Sequence, residues 1–263
     1  MKAVILAGGL GTRIVEESFL KPKPMIEIGE HPILWHIMKI YASQGVDEFI
    51  ICLGYKSGLV KDYFLNYHYY NSDLTIDLSS NTIEIHQRRQ DLMKVTLVET
   101  GLNTNTGGRL KRVEPYLGDD DTFCLTYGDG LADINIAHLL DFHRAHGLSA
   151  TITAVQPAGR FGMLSVDPVG QVRNFLEKPP GDGGWTNGGF FVFKREVFQY
   201  LPEKLEKADE SSLESHLLIN LSQAGQLMAY YHRGFWKCMD AVRDKRELEG
   251  LWNSGRAPWK CWD

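Results

Sequence analysis

Two short apolar segments, separated by one helical pattern, constrain the fold more than any other feature of this sequence. Residues 3–7 and 49–53 are continuous apolar runs rich in Val, Ile and Leu, and a glycine follows each. Such runs are typical of strands buried on both faces of a parallel sheet. Between them, apolar residues recur at helical spacing over residues 32–44, with Pro32 near the first helical position and Gly45 just past the end. The pattern predicts a right-handed strand–helix–strand unit.

The same alternation continues through the chain. We predict further strands at residues 122–126, 151–155, 163–166, 172–176 and 189–193, and further helices at residues 109–117, 136–146, 213–224 and 242–252. Residues 73–99 instead show short alternating apolar runs, which are typical of an antiparallel ribbon. These patterns predict an α/β fold with a mainly parallel sheet flanked by helices and a small β insertion.

The length of 263 residues fits one domain with a full hydrophobic core, and we find no internal repeat or convincing linker. We therefore assign residues 1–263 to a single domain, with an inserted β-ribbon at about 73–99 and a C-terminal helix and tail at about 241–263. The tail is rich in Trp, and both it and the ribbon are candidate surfaces for contact with another subunit. We expect a homo-oligomer.

Composition argues against several classes of protein. The formal charge of −5, from 28 Lys and Arg against 33 Asp and Glu, does not favour binding to DNA or RNA. The apolar N-terminal run stops at Gly8, before a secretory signal would be complete, and no later stretch is long enough to span a bilayer. The four cysteines form no C-x-x-C pair, which suits a reducing compartment. We expect a cytoplasmic protein that binds neither nucleic acid nor membrane.

A glycine-rich segment, Gly8-Gly9-Leu10-Gly11-Thr12-Arg13, directly follows the first predicted strand. Backbone without side chains can point several N–H groups at phosphate oxygens, and Arg13 adds a fixed planar charge. An ordinary glycine turn and the dinucleotide fingerprint G-x-G-x-x-G are the alternatives. The fingerprint is disfavoured, because Ile14 stands at its third glycine position and no obvious helix begins before Pro22.

Downstream, Lys21-Pro22-Lys23-Pro24-Met25 combines two lysines with two prolines. The prolines predict an extended segment rather than a helix, and they hold the lysines in a fixed direction. Rigid ammonium groups suit a phosphate site, whereas a solvated loop is the alternative when the segment is considered alone. Its position soon after the glycine-rich segment favours the phosphate site.

Asp129, within Tyr127-Gly128-Asp129-Gly130, follows the predicted strand at residues 122–126. It therefore lies at the carboxyl end of a strand, where open α/β sheets place their ligands. A carboxylate there can hold Mg²⁺, and an ordinary Asp-Gly turn is the alternative. Asp240, considered alone, is typical of a helix N-cap before the helix predicted at residues 242–252.

These motifs resemble those of the sugar-1-phosphate nucleotidyltransferases, and most closely the branch that transfers cytidylyl groups to glucose 1-phosphate. The resemblance covers nearly the whole chain and is carried by residues 1–13, 21–25, 32–38, 106–112, 127–130, 159–162, 177–179, 187–191, 234–236 and 239–240. The opening segment is shared by the wider superfamily, whereas Lys-Pro-Lys-Pro-Met, Thr-Gly-Gly-Arg-Leu-Lys-Arg and Trp-x-x-Met-Asp favour the cytidylyl branch. The resemblance implies a Rossmann-like fold of the nucleotide-diphospho-sugar transferase type.

The resemblance also implies a reaction. A phosphate oxygen of glucose 1-phosphate attacks the α-phosphorus of CTP, which releases pyrophosphate and gives CDP-glucose. This is the first step toward CDP-linked deoxysugars, such as those of lipopolysaccharide O-antigens. No protein nucleophile is needed, because the attacking phosphate is already an anion. The implied catalytic residues are Arg13, Lys23 and Asp129, and the implied ligands of a Mg²⁺ cofactor are Asp129 and Asp240.

The implied binding residues form two groups. Those for the nucleotide are Leu6, Gly8, Gly9, Gly11, Thr12, Arg13, Lys23, Thr104, Gly108, Arg109 and Gly128. Those for the sugar phosphate are Tyr127, Gly162, Glu177, Lys178, Asn187 and Gly188. The alternatives are a surface ion pair for Glu177 and Lys178, and a helix-start arginine for Arg109. Backbone carbonyls at residues 6–8 are candidate acceptors for the cytosine amino group, with Arg109 as a donor to the base carbonyl.

Two departures from the family pattern affect these expectations. Leu213-Glu214-Ser215-His216-Leu217 stands where the family has an aromatic residue and a Glu-x-Glu-Pro run, which changes the expected sugar-side wall and subunit contact. Ala241 replaces a Thr after Met-Asp, which would loosen the setting of Asp240. Three other functions stay open: a sister enzyme with another nucleotide or acceptor, a regulatory module without turnover, and a nicotinamide oxidoreductase.

Overall fold

The computed structural model describes residues 1–11, 20–88, 91–159, 162–177 and 180–262. The described strands are β1 Lys2–Leu6, β2 Glu27–Ile28, β3 His31–Pro32, β4 Glu48–Leu53, β5 Ser72–Asp77, β6 Thr82–Arg88, β7 Lys94–Glu99, β8 Thr122–Tyr127, β9 Gly130–Ala132, β10 Ala150–Val155, β11 Met163–Val166, β12 Val172–Leu176, β13 Thr186–Lys194, β14 Leu227–Tyr231 and β15 Trp236–Cys238. Seven of them form the central sheet, in the order β14-β10-β13-β8-β1-β4-β7.

The central sheet is mainly parallel, as predicted. β1 pairs in parallel with β4 and β8, β4 with β7, and β10 with β14, whereas β13 runs antiparallel to β8 and β10. β1 is buried on both faces, because Ala3 and Ile5 pack into one core and Val4 and Leu6 into the other. Parallel strands end at the same edge of a sheet, so the loops after β1, β4 and β8 meet there.

The predicted ribbon at residues 73–99 is only in part a ribbon. β5 and β6 form an antiparallel hairpin, but β7 pairs in parallel with β4 and is the edge strand of the central sheet. An edge strand is covered unevenly, and Val98 is the one fully buried residue of β7. Because of this uneven cover, apolar and polar residues alternate in a parallel edge strand as they do in an antiparallel strand. The assignment of residues 94–99 to an antiparallel ribbon was therefore wrong.

Helices cover both faces of the sheet. They are α1 Ile33–Ala42, α2 Ser57–Leu65, α3 Tyr67–Tyr70, α4 Thr106–Val113, α5 Ile136–His146, α6 Leu205–Asp209, α7 Leu218–Gln223 and α8 Val242–Asn253. Shorter turns are the 3-10 helices Lys23–Met25, Glu114–Leu117, Pro180–Gly183 and Arg195–Tyr200, and the π-helical turn Leu213–Leu217. α1 and α5 pack into one core, and α4 and α7 into the other. Among the described residues, no helix is long and apolar enough to cross a membrane.

Helix α4 begins at Thr106, before the predicted start at residue 109, and continues into a 3-10 turn after Val113. Its first turn contains Gly107 and Gly108, which are poor helix formers. A Cβ at Gly107 would lie 2.7 Å from the carbonyl oxygen of Ser211, and one at Gly108 would lie 2.6 Å from the Cα of Asp209. The helix therefore includes both glycines because the last residue of α6, Asp209, and the segment that follows it pack directly against them.

The Trp-rich tail packs within its own chain. Trp259 is 0% exposed, and its ring stacks with those of Phe235 and Trp252. Its indole N–H points to Nδ1 of His36 on α1 at 3.4 Å. Burial lowers the pKa of His36 to about 4, so the ring is neutral and its Nδ1 can accept a hydrogen bond from the indole N–H. The expectation that the tail packs against another subunit is wrong for Trp259, because Phe235, Trp252 and His36 of the same chain contact its ring.

Candidate active site

Two adjoining cavities open where β1 and β8 end. We call the larger one, of about 360 Å³, the glycine-loop cavity; it is lined by Leu6, Ala7, Gly8, Gly9, Gly11, Lys23, Pro24, Thr104, Asn105, Thr106, Arg109, Tyr127, Gly128, Asp129 and Asp240. We call the smaller one, of about 320 Å³, the Tyr127 cavity; it is lined by Thr126, Tyr127, Asp129, Gly130, Asn187, Gly188, Gly189, Glu214, Trp236, Cys238 and Asp240. The two cavities share Tyr127, Asp129 and Asp240, so they meet at the two aspartates.

The structure brings most of the predicted nucleotide-binding residues together in the glycine-loop cavity. They are Leu6, Gly8, Gly9, Gly11, Lys23, Thr104, Arg109 and Gly128. Gly108 is outside the lining and packs against Asp209. Thr12 and Arg13 lie outside the described residues. The lining also includes Asn105 and Thr106, which the sequence reasoning missed.

Arg109 supports the glycine-loop cavity through contacts with the protein. Its guanidinium donates to the carbonyl oxygens of Leu53 and Gly8, each at 3.0 Å, and to the Thr100 hydroxyl at 2.7 Å. The residue is 4% exposed, and burial lowers its pKa. Because both Nη atoms are already engaged, the geometry favours a positioning role for Arg109 over donation to a base.

The glycines around Arg109 are required by close packing. A Cβ at Gly8 would lie 2.0 Å from Nη1 of Arg109, and one at Gly54 would lie 2.7 Å from the same atom. Neither position can carry a side chain unless the guanidinium moves. Gly11 needs glycine for another reason, since its φ of +66° lies in the left-handed region. From the sequence alone, Gly8 was expected only to contact the nucleotide and Gly54 only to end a strand.

Lys23 lies between the two aspartates where the cavities meet. Its Nζ is 2.5 Å from Oδ2 of Asp129 and 2.7 Å from Oδ1 of Asp240. Burial lowers the pKa of Lys23, but the charge and hydrogen bond of Asp129 and the hydrogen bond of Asp240 outweigh it, so the pKa lies above its usual value. The ammonium of Lys23 therefore stays charged.

The segment that carries Lys23 is not fully extended as predicted. Lys23–Met25 is a single turn of 3-10 helix that begins after an extended Pro22. Pro24 fits inside it because the first positions of a helical turn need no N–H donor. The prolines thus fix the direction of the lysine through a tight turn, and the expectation that they exclude any helix was wrong.

Asp240 is positioned by Asp244 on α8. The Asp244 carboxylate accepts hydrogen bonds from the backbone N–H groups of Asp240, at 3.1 Å, and Ala241, at 2.9 Å. Ala241, not Asp240, is the N-cap residue of α8. The alternative reading of Asp240 as an N-cap is therefore wrong, and Asp244 compensates for the alanine that stands in place of Thr.

Cys238 is a third potential ligand that the sequence reasoning missed. Ligand atoms of Asp129, Cys238 and Asp240 lie within 4.8 Å of one another. Burial raises the pKa of the Cys238 thiol, and the charge of Asp129 raises it further. Cys238 is the last residue of β15 and stands two positions before Asp240. That spacing was the signal that could have revealed it, because residues two apart on an extended chain point to the same side.

The chemistry of this cluster fits a divalent cation. Two carboxylates that converge on one point are typical ligands of Mg²⁺, which keeps several waters and needs few protein oxygens. The ammonium of Lys23 already occupies that point as a positive charge. Hard cations prefer oxygen, so the protonated Cys238 thiol is a neighbour of the site, and Asp129 and Asp240 are the fitting ligands.

The Tyr127 cavity contains three of the predicted sugar-phosphate residues, Tyr127, Asn187 and Gly188. The Tyr127 hydroxyl donates to the carboxylate of Glu214 and accepts from Nδ2 of Asn187 at 3.2 Å. The indole N–H of Trp236 donates to the carbonyl oxygen of Gly188 at 2.7 Å. Glu214 and Trp236 were not predicted as site residues, although the departure at residues 213–217 had pointed to the sugar-side wall.

The structure separates Gly162 and Glu177 from this lining. Both lie beside the exposed hairpin β11–β12, and neither lines either cavity. They are neighbours of each other, since a Cβ at Gly162 would lie 3.2 Å from Oε2 of Glu177. Lys178 lies outside the described residues. A sugar-binding role for Glu177 stays a prediction.

Comparison with known proteins connects this geometry to a family. A family model described as "Nucleotidyl transferase" matches residues 2–244. The chain is 54% identical over 263 residues to the "Glucose-1-phosphate cytidylyltransferase" of Salmonella typhi, with 100% of both chains covered. It is 45% identical over 262 residues to the "Probable glucose-1-phosphate cytidylyltransferase" of Bacillus subtilis, again with 100% of both covered.

Solved structures agree on the fold. A UDP-glucose pyrophosphorylase complexed with UDP-glucose superposes with a TM-score of 0.66 at 15% identity, and the match covers 97% of this chain and 99% of that one. HddC from Yersinia pseudotuberculosis superposes with a TM-score of 0.66 at 21% identity, with 95% and 99% covered. At these identities the likeness concerns the arrangement of strands and helices alone.

Proposed function

Because this chain belongs to the nucleotidyl transferase family, we propose that it transfers a cytidylyl group from CTP to α-D-glucose 1-phosphate, giving CDP-glucose and pyrophosphate. The full-length identity to proteins named for that activity supports the proposal. The predicted resemblance and the predicted enzyme class, a nucleotidyltransferase, are confirmed. The proposal excludes the readings as a nicotinamide oxidoreductase and as a module without turnover.

The observation that carries the proposal is the meeting of two cavities at Asp129, Asp240 and Lys23. A transfer between two phosphate-bearing substrates needs two sites that bring one phosphate in line with the other. The glycine-loop cavity offers backbone for a nucleotide, and the Tyr127 cavity offers Asn187 and Glu214 for sugar hydroxyls. The charged groups lie at the junction, where the new bond would form.

The residues of the chain contribute alignment and charge. Backbone N–H groups of the loop at Gly8, Gly9 and Gly11 hold the nucleotide phosphates, and Arg109 holds that loop in place. Lys23 neutralises the reacting phosphates at the junction. Arg13, as stabiliser of the leaving pyrophosphate, and Lys178, as a ligand of the acceptor phosphate, complete the proposed set.

A divalent metal is general in this family, and we propose Mg²⁺ held by Asp129 and Asp240. When bound, the ion would stabilise negative charge that develops on the transferred phosphate. The positioning of Asp240 by the buried Asp244 supports its role as a ligand, because a fixed carboxylate loses less freedom on binding.

Base choice is the property that separates this proposal from a sister enzyme of the same family. We expect CTP to be used at least ~10-fold better than UTP, dTTP or ATP, since a pocket that accepts from the cytosine amino group leaves the wrong base unpaired, at a cost of roughly 1–3 kcal/mol. The measurement is kcat/KM for each triphosphate, followed by pyrophosphate release. Parity between CTP and UTP would leave only the broader nucleotidyltransferase assignment.

The geometry disfavours the Gly8 carbonyl as the acceptor for that amino group. Its oxygen already accepts from Nη2 of Arg109 at 3.0 Å and from the backbone N–H of Tyr55 at 3.2 Å. A carbonyl oxygen has two lone pairs, and both are occupied. Because the loop is closed through Arg109, we propose that the acceptor among the carbonyls at residues 6–8 is one other than Gly8.

Glu214 offers a test of the sugar side. We expect Glu214→Gln to raise KM for glucose 1-phosphate by about 5-fold and to change KM for CTP by less than about 2-fold, since a neutral amide accepts from the Tyr127 hydroxyl less strongly than a carboxylate. Steady-state kinetics with each substrate varied gives the result. Glu210→Gln, an exposed neighbour, is the matched control. Equal changes in both KM values would remove Glu214 from the sugar side.

We also propose a cytoplasmic homo-oligomer. The free cysteines Cys52, Cys124, Cys238 and Cys261 support a reducing compartment. The hairpin β5–β6 supports self-association, since it exposes apolar side chains such as Ile76 and Leu78. Neither nucleic acid nor membrane is part of the proposal, in keeping with the net negative charge.

A further inference from the structure

Two cations can occupy the position between Asp129 and Asp240: the Lys23 ammonium and a divalent metal ion. The Lys23 ammonium occupies it, at 2.5 Å and 2.7 Å from the two carboxylates. The same two carboxylates are the ligands that fit a divalent cation, which would bind each oxygen at about 2.1 Å. An ammonium and a metal ion of like charge cannot share these oxygens at such distances.

We propose that Lys23 is a built-in counter-ion that fills the cation site of the free protein and must leave before a divalent cation can bind both aspartates. The inference deepens the proposed function. It rests on that function in one respect, namely that phosphates of a bound nucleotide become the new partner of the Lys23 ammonium. Its content is a competition within the chain, which lowers the affinity of the free protein for the metal.

The fold makes this competition strong. Lys23 begins the 3-10 turn Lys23–Met25, and the other two residues of the turn, Pro24 and Met25, are buried, so the backbone cannot move away. The side chain of Lys23 is only 12% exposed, so its ammonium has little contact with solvent. The metal can therefore enter only when the side chain rotates toward another partner.

The glycine-loop cavity supplies that partner when a nucleotide is present. Lys23 lines this cavity together with the glycines of the loop, so its ammonium can turn from the carboxylates to nucleotide phosphates. The metal and the nucleotide then favour each other's binding. The nucleotide phosphates draw the ammonium away from the carboxylates that the metal needs, and the metal releases the ammonium to bind the phosphates. Such coupling is reciprocal by thermodynamic necessity.

The test is Mn²⁺ binding to the whole chain without any substrate, followed by the electron paramagnetic resonance signal of free Mn²⁺. We expect Lys23→Met to tighten Mn²⁺ binding at least ~10-fold, within the usual range for coupled sites. Lys21→Met is the matched control, since it removes the same charge nearby but its ammonium pairs with Glu27 at 2.6 Å. We expect the control to change the affinity by less than about 2-fold, a screened surface effect.

A second measurement uses the unmodified protein. Mass spectrometry after brief acetylation should show that saturating Mn²⁺ makes Lys23 at least ~3-fold more reactive, because a lysine released from an ion pair is exposed to the reagent. Lys21 in the same sample should show no change. No gain in Lys23 reactivity would overturn the proposal even if the Lys23→Met variant failed to fold.

The remaining outcomes are also decisive. Unchanged or weaker Mn²⁺ binding by folded Lys23→Met would overturn the inference, as would tight binding that persists after Asp129→Asn is added to that variant. Lys23→Arg keeps the positive charge and should keep the weak affinity of the parent. Neither CTP nor a sugar phosphate enters these measurements, so a protein that makes no CDP-glucose would refute the proposed function and leave this inference intact.

Discussion

Asp129→Asn and Asp240→Asn are each expected to lower kcat at least ~100-fold and to leave the fold intact, because losing a metal ligand removes charge stabilisation of several kcal/mol from the reacting phosphates. The effect should be large for both, since the two carboxylates are the acidic groups that both cavities share. The fold should survive, since the side chains are 24% and 30% exposed and lie at the sheet edge.

The measurement is turnover at saturating CTP, glucose 1-phosphate and Mg²⁺, together with the melting temperature of each variant. Asp141→Asn is the control, because Asp141 lies exposed on α5 and pairs only with its neighbour Arg144 among the recorded ion pairs of the described residues. Near-parent turnover that still depends on Mg²⁺ in either site variant would show that this aspartate is not a ligand.

Trp259→Ala is expected to lower the free energy of unfolding by about 3–5 kcal/mol, the usual loss when a fully buried tryptophan is truncated. The substitution would leave a cavity between α1 and α8 and would remove the N–H that points to His36. For a chain of this size that loss lowers the melting temperature by roughly 10 °C.

Denaturant unfolding of the parent and the variant gives this difference directly. Trp185→Ala is the control, because Trp185 is 39% exposed and should lose at most about 1 kcal/mol. The loss in free energy of unfolding for Trp259→Phe should lie between those for Trp259→Ala and Trp185→Ala, since a smaller ring keeps part of the stacking with Phe235. Equal losses for Trp259→Ala and Trp185→Ala would mean that the tail does not stabilise the domain.

Local patterns predicted the strands and helices that are covered evenly. The apolar runs at β1 and β4 are buried on both faces, so their residues carry the signal without any knowledge of neighbours. β7 was misassigned because its pattern depends on its place at the edge of the sheet. β14 and β15 were not predicted, since their partly buried residues give only weak periodicity.

The candidate site was predictable in its charged residues and less so in its supports. Lys23 and Asp129 stand in recognisable segments, whereas the role of Glu214 follows only from its contact with the Tyr127 hydroxyl. Gly54 has its role because Arg109 lies against it, at 2.7 Å from the position of a Cβ. Contacts of this kind depend on the packing of distant segments, which no local pattern records.

The sequence by itself determined the strand–helix–strand unit of β1, α1 and β4, the glycine loop after β1 and the family of the protein, because the signal for each lies in consecutive residues. The tertiary structure alone decided that Lys23 meets Asp129 and Asp240, which lie 106 and 217 residues away along the chain. It also decided that the Arg109 guanidinium donates to the Gly8 carbonyl of the loop, a contact that the sequence analysis had not predicted. The physical reason is that burial and charge pairing depend on distance in space, and the parallel sheet brings the ends of distant strands to one edge.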